Sequence, residues 1–312
     1  GTQQGVPWQD AWMYKWIETA SYEYASTGDE KLLERIDEVV PVIAKAQADD
    51  GYITTQVQAG KFNKRWMGPS NHELYNMGHL LTAAAVNYRM TSQTGLLDVA
   101  NKAAAFCLKQ FREHPEIMWE YPLNPSIIMG AVELYRATGN KDGLELARHI
   151  VDLRGSKYQP EKINSNWGRP EWGEKEQYQG GTDLYQNFIP LRKEKEVLGH
   201  AVFFTYLYAG ATDVYLETGD TTLMIALDRL WGDLTEKKMY ITGGVSPVHK
   251  GPVTRNFTDE RRQVCRWDPI HEGITTPFDL PNATAYNETC GMVGNMMWNW
   301  RMLQATGDPR YA

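Results

Sequence analysis

The sequence contains no apolar run approaching the roughly 20 residues that a membrane span requires, which argues against an integral membrane protein. Its start, Gly1-Thr2-Gln3-Gln4-Gly5, has neither a basic n-region nor an apolar h-region, so no leader is read there and the compartment stays open between cytoplasm and periplasm. Long basic runs are also missing. With 32 Lys and Arg against 39 Asp and Glu, the net charge is -7 and is spread along the chain, whereas nucleic acid needs a concentrated cationic surface. Cysteine is scarce: Cys107, Cys265 and Cys290 are too few for a disulfide framework, and their odd number leaves at least one thiol outside any pair. There is no Gly-x-Ser-x-Gly elbow, P-loop or dinucleotide fingerprint, which removes the common hydrolase and nucleotide-enzyme readings. Phenylalanine is rare, with 8 residues against 11 Trp and 17 Tyr. Indole and phenol offer a flat apolar face with a polar edge, suited to sugar rings, although an aromatic-rich helical core would use them too.

What is present is a recurring turn. Ser26-Thr27-Gly28-Asp29, Gln93-Thr94-Gly95, Ala137-Thr138-Gly139-Asn140, Glu217-Thr218-Gly219-Asp220 and Ala305-Thr306-Gly307-Asp308 each follow a helix-periodic segment. Gly suits the left-handed position that ends one helix, and in all but Gln93-Thr94-Gly95 the Asp or Asn that follows can cap the next. The segments before the turns are aromatic-rich: Trp12 to Tyr24 places Trp12, Trp16 and Ala20 on one face, and Leu80 to Tyr88, Ile127 to Tyr135 and Ala201 to Tyr215 continue the pattern. The segments after them, such as Leu32 to Ala46 and Leu223 to Leu234, carry charged outer faces. Strand-like alternation is scarce. The pattern predicts an all-α chain of antiparallel hairpins, with an inner aromatic helix and an outer charged one. Unequal spacing favours a closed α/α toroid over a regular solenoid. The expected organisation is one incomplete α/α-barrel domain over 1–312, with a long loop insertion at about 245–271. Gly51 to Ser70, Glu113 to Ser126 and Gly155 to Pro190 read as further long loops lining a site. The end at Tyr311-Ala312, where an outer helix is due, reads as a cut before further helices.

Several residues could carry chemistry. Asp279-Leu280-Pro281-Asn282 leads to Tyr286-Asn287-Glu288-Thr289-Cys290-Gly291 and a helix expected from about Met292. Glu288 and Cys290, two residues apart in a loop, are reasonable zinc ligands; a buried structural cysteine is the plain alternative. Glu272 lies in His271-Glu272-Gly273, within a loop rich in Trp and Pro. It could act as a general acid, or be an ordinary solvated glutamate. His72 opens an inner helix through His72-Glu73-Leu74-Tyr75, and His200 opens another through Gly199-His200-Ala201. Both suit hydrogen bonding to ligand hydroxyls. His79, two turns beyond His72, reads as a core histidine, and Cys107 as core packing.

These blocks, together with Gly78-His79, Lys238-Met239-Tyr240-Ile241-Thr242-Gly243-Gly244 and Arg301-Met302, resemble the signature of the β-L-arabinofuranosidase family of glycoside hydrolases, in order and over nearly the whole chain. The resemblance implies an α/α-barrel catalytic domain followed by β-rich domains, with Zn²⁺ held by one Glu and three Cys. It implies a retaining mechanism in which a zinc-bound cysteine attacks the anomeric carbon while a glutamate serves as acid and then base. By motif position Glu272 takes the acid/base role, Glu288 and Cys290 are two zinc ligands, and His72 and His200, with Trp66 and Glu73, contact the sugar. The nucleophile and the last zinc cysteine belong to a paired-cysteine motif expected beyond Ala312. A family histidine is replaced near Leu123-Asn124-Pro125, and Cys265 is an outside candidate for a ligand. The expected substrate is β-L-arabinofuranosyl or a related plant-type sugar, with no nucleic acid or membrane partner and a homodimer left open. Two rivals remain: a metal-independent inverting α/α-barrel glycosidase, and a carbohydrate-binding relative without catalysis.

Overall fold

The computed structural model describes residues 5–60, 64–157, 182–259 and 262–312, with side chains described outside 252–269. The Trp- and Pro-rich stretch 158–181 and the side chain of Cys265 lie outside the described residues. The chain divides into two compact units, Gly1–Val151 and Asp152–Ala312.

The first unit contains α1 (Asp10–Thr27), α2 (Glu30–Ala46), the short α3 (Thr55–Gln58), α4 (Glu73–Thr91), α5 (Gly95–Glu113), the short α6 (Pro115–Met118), α7 (Ser126–Thr138) and most of α8 (Lys141–Leu153). The turn chemistry explains the hairpins. Gly28 is left-handed (φ 70°) and returns its N–H to Tyr24 O, and Asp29 then accepts from Lys31 N to start α2. Gly139 and Asn140 repeat the device between α7 and α8. Between α4 and α5 the reading fails in detail. Ser92, not Gly95, takes the left-handed position (φ 61°), and Gly95 is already the first residue of α5. Helix α4 is the centre of this unit, packed against both α1 and α7. Thirteen of its nineteen residues are buried, against two of seventeen in α2, so inner and outer helices differ as expected.

One face is corrected. The buried side of α1 is Ala11, Tyr14, Ile17, Ala20 and Ser21, whereas Trp12 and Trp16 are exposed by 55% and 39%. Small residues win this face because they let α1 approach α4, where Asn87 Nδ2 donates to Ser21 Oγ at 3.1 Å.

The second unit holds α9 (Ala201–Thr218), α10 (Thr221–Lys237) and α11 (Thr289–Thr306), with α9 packed against both others. Gly219 and Asp220 make the expected turn between α9 and α10. The segment 245–271, read as a long loop, is largely a β-hairpin: β2 (Val248–Asp259) pairs antiparallel with β3 (Arg262–Ile274). The two-residue β1 (Gly199–His200) adds to the other side of β3, giving the order β1-β3-β2. In this register His200 faces Gly273. The approach is close enough that a Cβ on Gly273 would fall 1.9 Å from Gly199 O. Glycine is required there, and the residue beside it is Glu272. Apart from this sheet the elements among the described residues are helical, in keeping with the all-α class the sequence predicts. No helix among the described residues is long and apolar enough to cross a membrane.

Candidate active site

In the second unit the site begins at the junction of β1 and α9. His200 is the N-cap of α9, and its Nδ1 accepts from Val202 N at 3.2 Å. A ring nitrogen that accepts carries no proton, so the neutral imidazole holds its proton on Nε2. That Nε2–H points to Glu272 Oε2 at 3.2 Å. The other oxygen, Oε1, accepts from the Tyr286 hydroxyl at 3.1 Å. Each carboxylate oxygen therefore has one donor, which fixes the plane of the group while its side chain stays 33% exposed. Glu272 sits in the left-handed region at φ 52°, a conformation costly for a residue with a Cβ and common at functional sites. Burial pushes the His200 pKa down to about 4, against the opposing pull of the Glu272 charge, and Phe203 stacks on the ring at 3.9 Å. His200 is thus neutral at ordinary pH.

Tyr286 is itself held in place. Its ring stacks on His249 at 4.8 Å and 16°, and its N–H bonds Pro247 O. Glu288 is the residue before α11, and Cys290 lies in that helix's first turn, so the helix begins three residues earlier than Met292. Burial, the bond to Glu272 and the negative fields of Glu272, Glu288 and Cys290 together push the Tyr286 hydroxyl up to about 12. One hydroxyl feeling all three groups places 272, 288 and 290 in a single neighbourhood. Cys290 is exposed, and Glu288 Oε2 is buried with no hydrogen-bond partner among the described residues. A buried carboxylate oxygen left this way is costly and suits a cation. The pair also sits at the positive end of α11, a position that favours anionic donors.

By distance alone a second group could hold a metal ion, since donor atoms of His200, His271 and Glu272 lie within 4.8 Å of one another. The proton on His200 Nε2 opposes this. Ligation there would move that proton to Nδ1 and set it against the Val202 N–H.

In the first unit His72 is left-handed (φ 58°) at the start of α4. Its Nδ1 meets the Ser70 carbonyl, which can only accept, so Nδ1 carries the proton and Nε2 keeps its lone pair. Burial lowers its pKa and holds it neutral. Glu73, in contrast, is 1% exposed. Its carboxylate accepts from Tyr52 Oη at 2.5 Å and Trp66 N at 2.9 Å, and burial raises its pKa. Trp66 is half-buried, its indole N–H donating to Gln110 Oε1 at 3.1 Å and its ring stacked on Phe106. Glu73 therefore spends its oxygens holding the Trp66 loop. His79 lies in the core with its pKa driven to about 3 by burial, and Cys107 is fully buried beside Met77. Asn124, two residues before α7, accepts from Ser126 N at 3.2 Å.

Residues 2–312 match the model of the β-L-arabinofuranosidase GH127 catalytic domain. The chain belongs to this family. The GH127 chain is 30% identical to the non-reducing end β-L-arabinofuranosidase of Bifidobacterium longum subsp. longum, over 99% of its own length and 44% of the relative's. It superposes with a TM-score of 0.82 on a solved GH127 β-L-arabinofuranosidase from Geobacillus stearothermophilus T6, at 32% identity, covering all of this chain and 46% of that one. A structure described as a glycoside hydrolase matches at 37% identity and TM-score 0.77, over 96% of this chain and 43% of that one. The GH127 chain thus spans less than half the length of the relatives it matches. Sequence reasoning quoted Tyr286 inside a motif but gave it no role; its place two residues before Glu288 was the available signal.

Proposed function

We propose that this chain is the helical catalytic part of a retaining glycoside hydrolase that releases β-L-arabinofuranose, or a closely related sugar, from plant-type glycans. The observation that carries the reading is the Glu272 carboxylate, one-third exposed, held by His200 and Tyr286 beside Glu288 and Cys290. In this scheme Glu272 gives its proton to the leaving oxygen and then takes one from water, the two-step role of the acid/base in retaining enzymes. His200 and Tyr286 keep the carboxylate oriented through both transfers. His200, neutral with its proton on Nε2, adds no charge to the cavity.

The metal in this reading is Zn²⁺, with Glu288 and Cys290 as two of its ligands. The unpartnered Glu288 oxygen and a mixed oxygen and sulfur donor set support the fit. Bound zinc would keep a sulfur nucleophile deprotonated at neutral pH. Within the first unit, His72 is assigned a sugar hydroxyl through its Nε2 lone pair and Trp66 a sugar contact on the loop that Glu73 fixes; within the second, His200 lies beside the acid/base.

The direct test is turnover of p-nitrophenyl β-L-arabinofuranoside by the full-length protein, before and after chelation. Activity that survives complete zinc removal would sink the metal assignment, and no turnover at all would sink the substrate. Replacing Cys290 with Ser, or Glu288 with Gln, is expected to lower bound zinc measured by elemental analysis well below one ion per chain. Retention of a full equivalent by both variants would contradict the ligand set. Tyr286→Phe is expected to lower kcat about tenfold, the worth of one hydrogen bond to a charged group, with KM nearly unchanged. A KM effect without a kcat effect would instead make Tyr286 a binding residue.

A further inference from the structure

We propose that His271 and Glu272 form an inhibitory site for a second divalent transition-metal ion, Zn²⁺ or Ni²⁺, which takes the acid/base carboxylate out of use. The inhibition rests on the role given to Glu272 above; the site itself does not. His271 and Glu272 are neighbours on β3, and in a regular strand their side chains would leave on opposite faces. The left-handed backbone of Glu272 (φ 52°) breaks that alternation. A ring nitrogen of His271 and a carboxylate oxygen of Glu272 lie within 4.8 Å of each other. Zinc takes nitrogen and oxygen ligands at about 2.0–2.2 Å, which sets two tetrahedral donors roughly 3.4 Å apart. The remaining ångström or so is closed by movement, and His271 is the partner that can move. It is exposed, and among the described residues no hydrogen bond holds its ring. Its described ring contact is an edge-on one to His200, with centroids 5.6 Å apart at 89°.

Glu272 has the capacity for a metal as well as for its donors. A carboxylate offers about four lone-pair sites, and His200 Nε2–H and the Tyr286 hydroxyl take one on each oxygen. A metal ion can occupy a remaining site while His200 keeps its proton and its cap on α9. That avoids the cost that opposes ligation by His200 itself. Two protein ligands, with water in the other positions, hold an ion less tightly than a full ligand set, so this site fills only with excess metal. Imidazole beside carboxylate suits Zn²⁺ and Ni²⁺, whereas Mg²⁺ prefers oxygen ligands and keeps its waters. A carboxylate so ligated cannot carry the proton that the leaving oxygen needs, and the ion stands where that oxygen must approach. Inhibition is therefore competitive with the glycoside.

The test uses full-length protein, loaded with zinc and freed of excess by gel filtration. It is titrated with further Zn²⁺, with Ni²⁺ and with Mg²⁺ by calorimetry, and turnover is followed in parallel. The wild type is expected to take up one added Zn²⁺ or Ni²⁺ with micromolar affinity, to lose activity over the same concentration range, and to ignore Mg²⁺. His271→Ala should keep kcat within twofold when no metal is added. It should weaken both binding and inhibition about 100-fold, the upper end of what losing even an outer-shell partner costs a metal site. His114→Ala is the control, because His114 Nδ1 in the first unit also lies beside a carboxylate, Glu116 Oε1 at 3.5 Å. That variant should bind and be inhibited as the wild type is. Unchanged inhibition in His271→Ala, or no added ion in the wild type, overturns the site. An added ion that His271→Ala loses, but that leaves wild-type turnover intact, takes the acid/base role from Glu272 and leaves the metal site standing. If the arabinofuranoside is not turned over at all, the calorimetric difference between wild type and His271→Ala still decides the site.

Discussion

Glu272→Gln in the full-length protein is expected to lower turnover of a natural, unactivated glycan by about 100- to 10,000-fold, the usual share of a general acid/base, while the fold survives. Glutamine fits because its carbonyl oxygen can face the His200 Nε2–H, which can only donate. Its amide can face Tyr286, whose hydroxyl can turn to accept. The loss therefore reports the missing proton rather than a collapsed site. The leaving group sharpens the test. A p-nitrophenolate leaves without protonation, so the first step is spared on that substrate and only water activation suffers. The variant should thus retain more activity on the p-nitrophenyl glycoside than on an alkyl one. Added azide, which needs no base to attack, should restore part of the rate and give a glycosyl azide of retained configuration. Activity within tenfold of wild type on both substrates would remove Glu272 from the chemistry. An inverted azide product would instead favour the two-carboxylate, metal-independent rival.

Much of the hairpin organisation was legible because its chemistry is local. A glycine that must be left-handed and an aspartate that caps the next helix lie within two residues of each other, as at Gly28-Asp29 and Gly219-Asp220. What failed depended on partners far along the chain. The face of α1 is decided by how closely α4 can approach Ala11 and Ser21, which periodicity alone does not reveal, so of the expected shared face Ala20 is buried while Trp12 and Trp16 are exposed. The 248–274 hairpin was hidden by its prolines. Pro252 and Pro269 face each other in the β2–β3 register, where each strand has only one neighbour among the described residues and the loss of an N–H is tolerated. The same prolines read as loop markers. Of the candidate site, Glu272 and Glu288 are the residues that the motifs single out. That two donors meet on Glu272 was not legible, because His200 and Tyr286 reach it from 72 positions before and 14 after. Glu73 shows the converse. Its motif position suggested a sugar contact, and only burial shows that its oxygens already serve Tyr52 and Trp66.

Lys238→Met is expected to cost about 3–5 kcal/mol, the penalty for leaving one member of a buried ion pair behind, although it keeps the length and much of the apolar stem. Lys238 is 1% exposed, and its ammonium meets Val197 O at 2.7 Å, Asp233 Oδ2 at 3.2 Å and Glu196 Oε2 at 3.2 Å. Asp233, 5% exposed at its side chain, also accepts from Val197 N at 2.8 Å. The pair thus grips both backbone groups of Val197, two residues before Gly199 and three before His200. Thioether for ammonium leaves the Val197 carbonyl without this donor, and among the described residues the cation left beside Asp233 is Lys237, whose side chain is 41% exposed. At about 2–4 °C per kcal/mol for a unit of this size, the melting transition should fall by roughly 6–20 °C. Adding Asp233→Asn should recover part of that loss, because the amide oxygen still accepts from Val197 N while the stranded charge disappears. A double variant less stable than Lys238→Met by the full single-variant cost of Asp233→Asn would show no coupling and defeat the argument. The consequence for catalysis follows from the geometry of β1. Loosening Val197 loosens the strand that sets His200 against Glu272, so kcat should fall even at temperatures well below the melting transition. A variant that melts early but turns over normally at 20 °C would confine the Lys238–Asp233 pair to stability and separate it from the placement of His200.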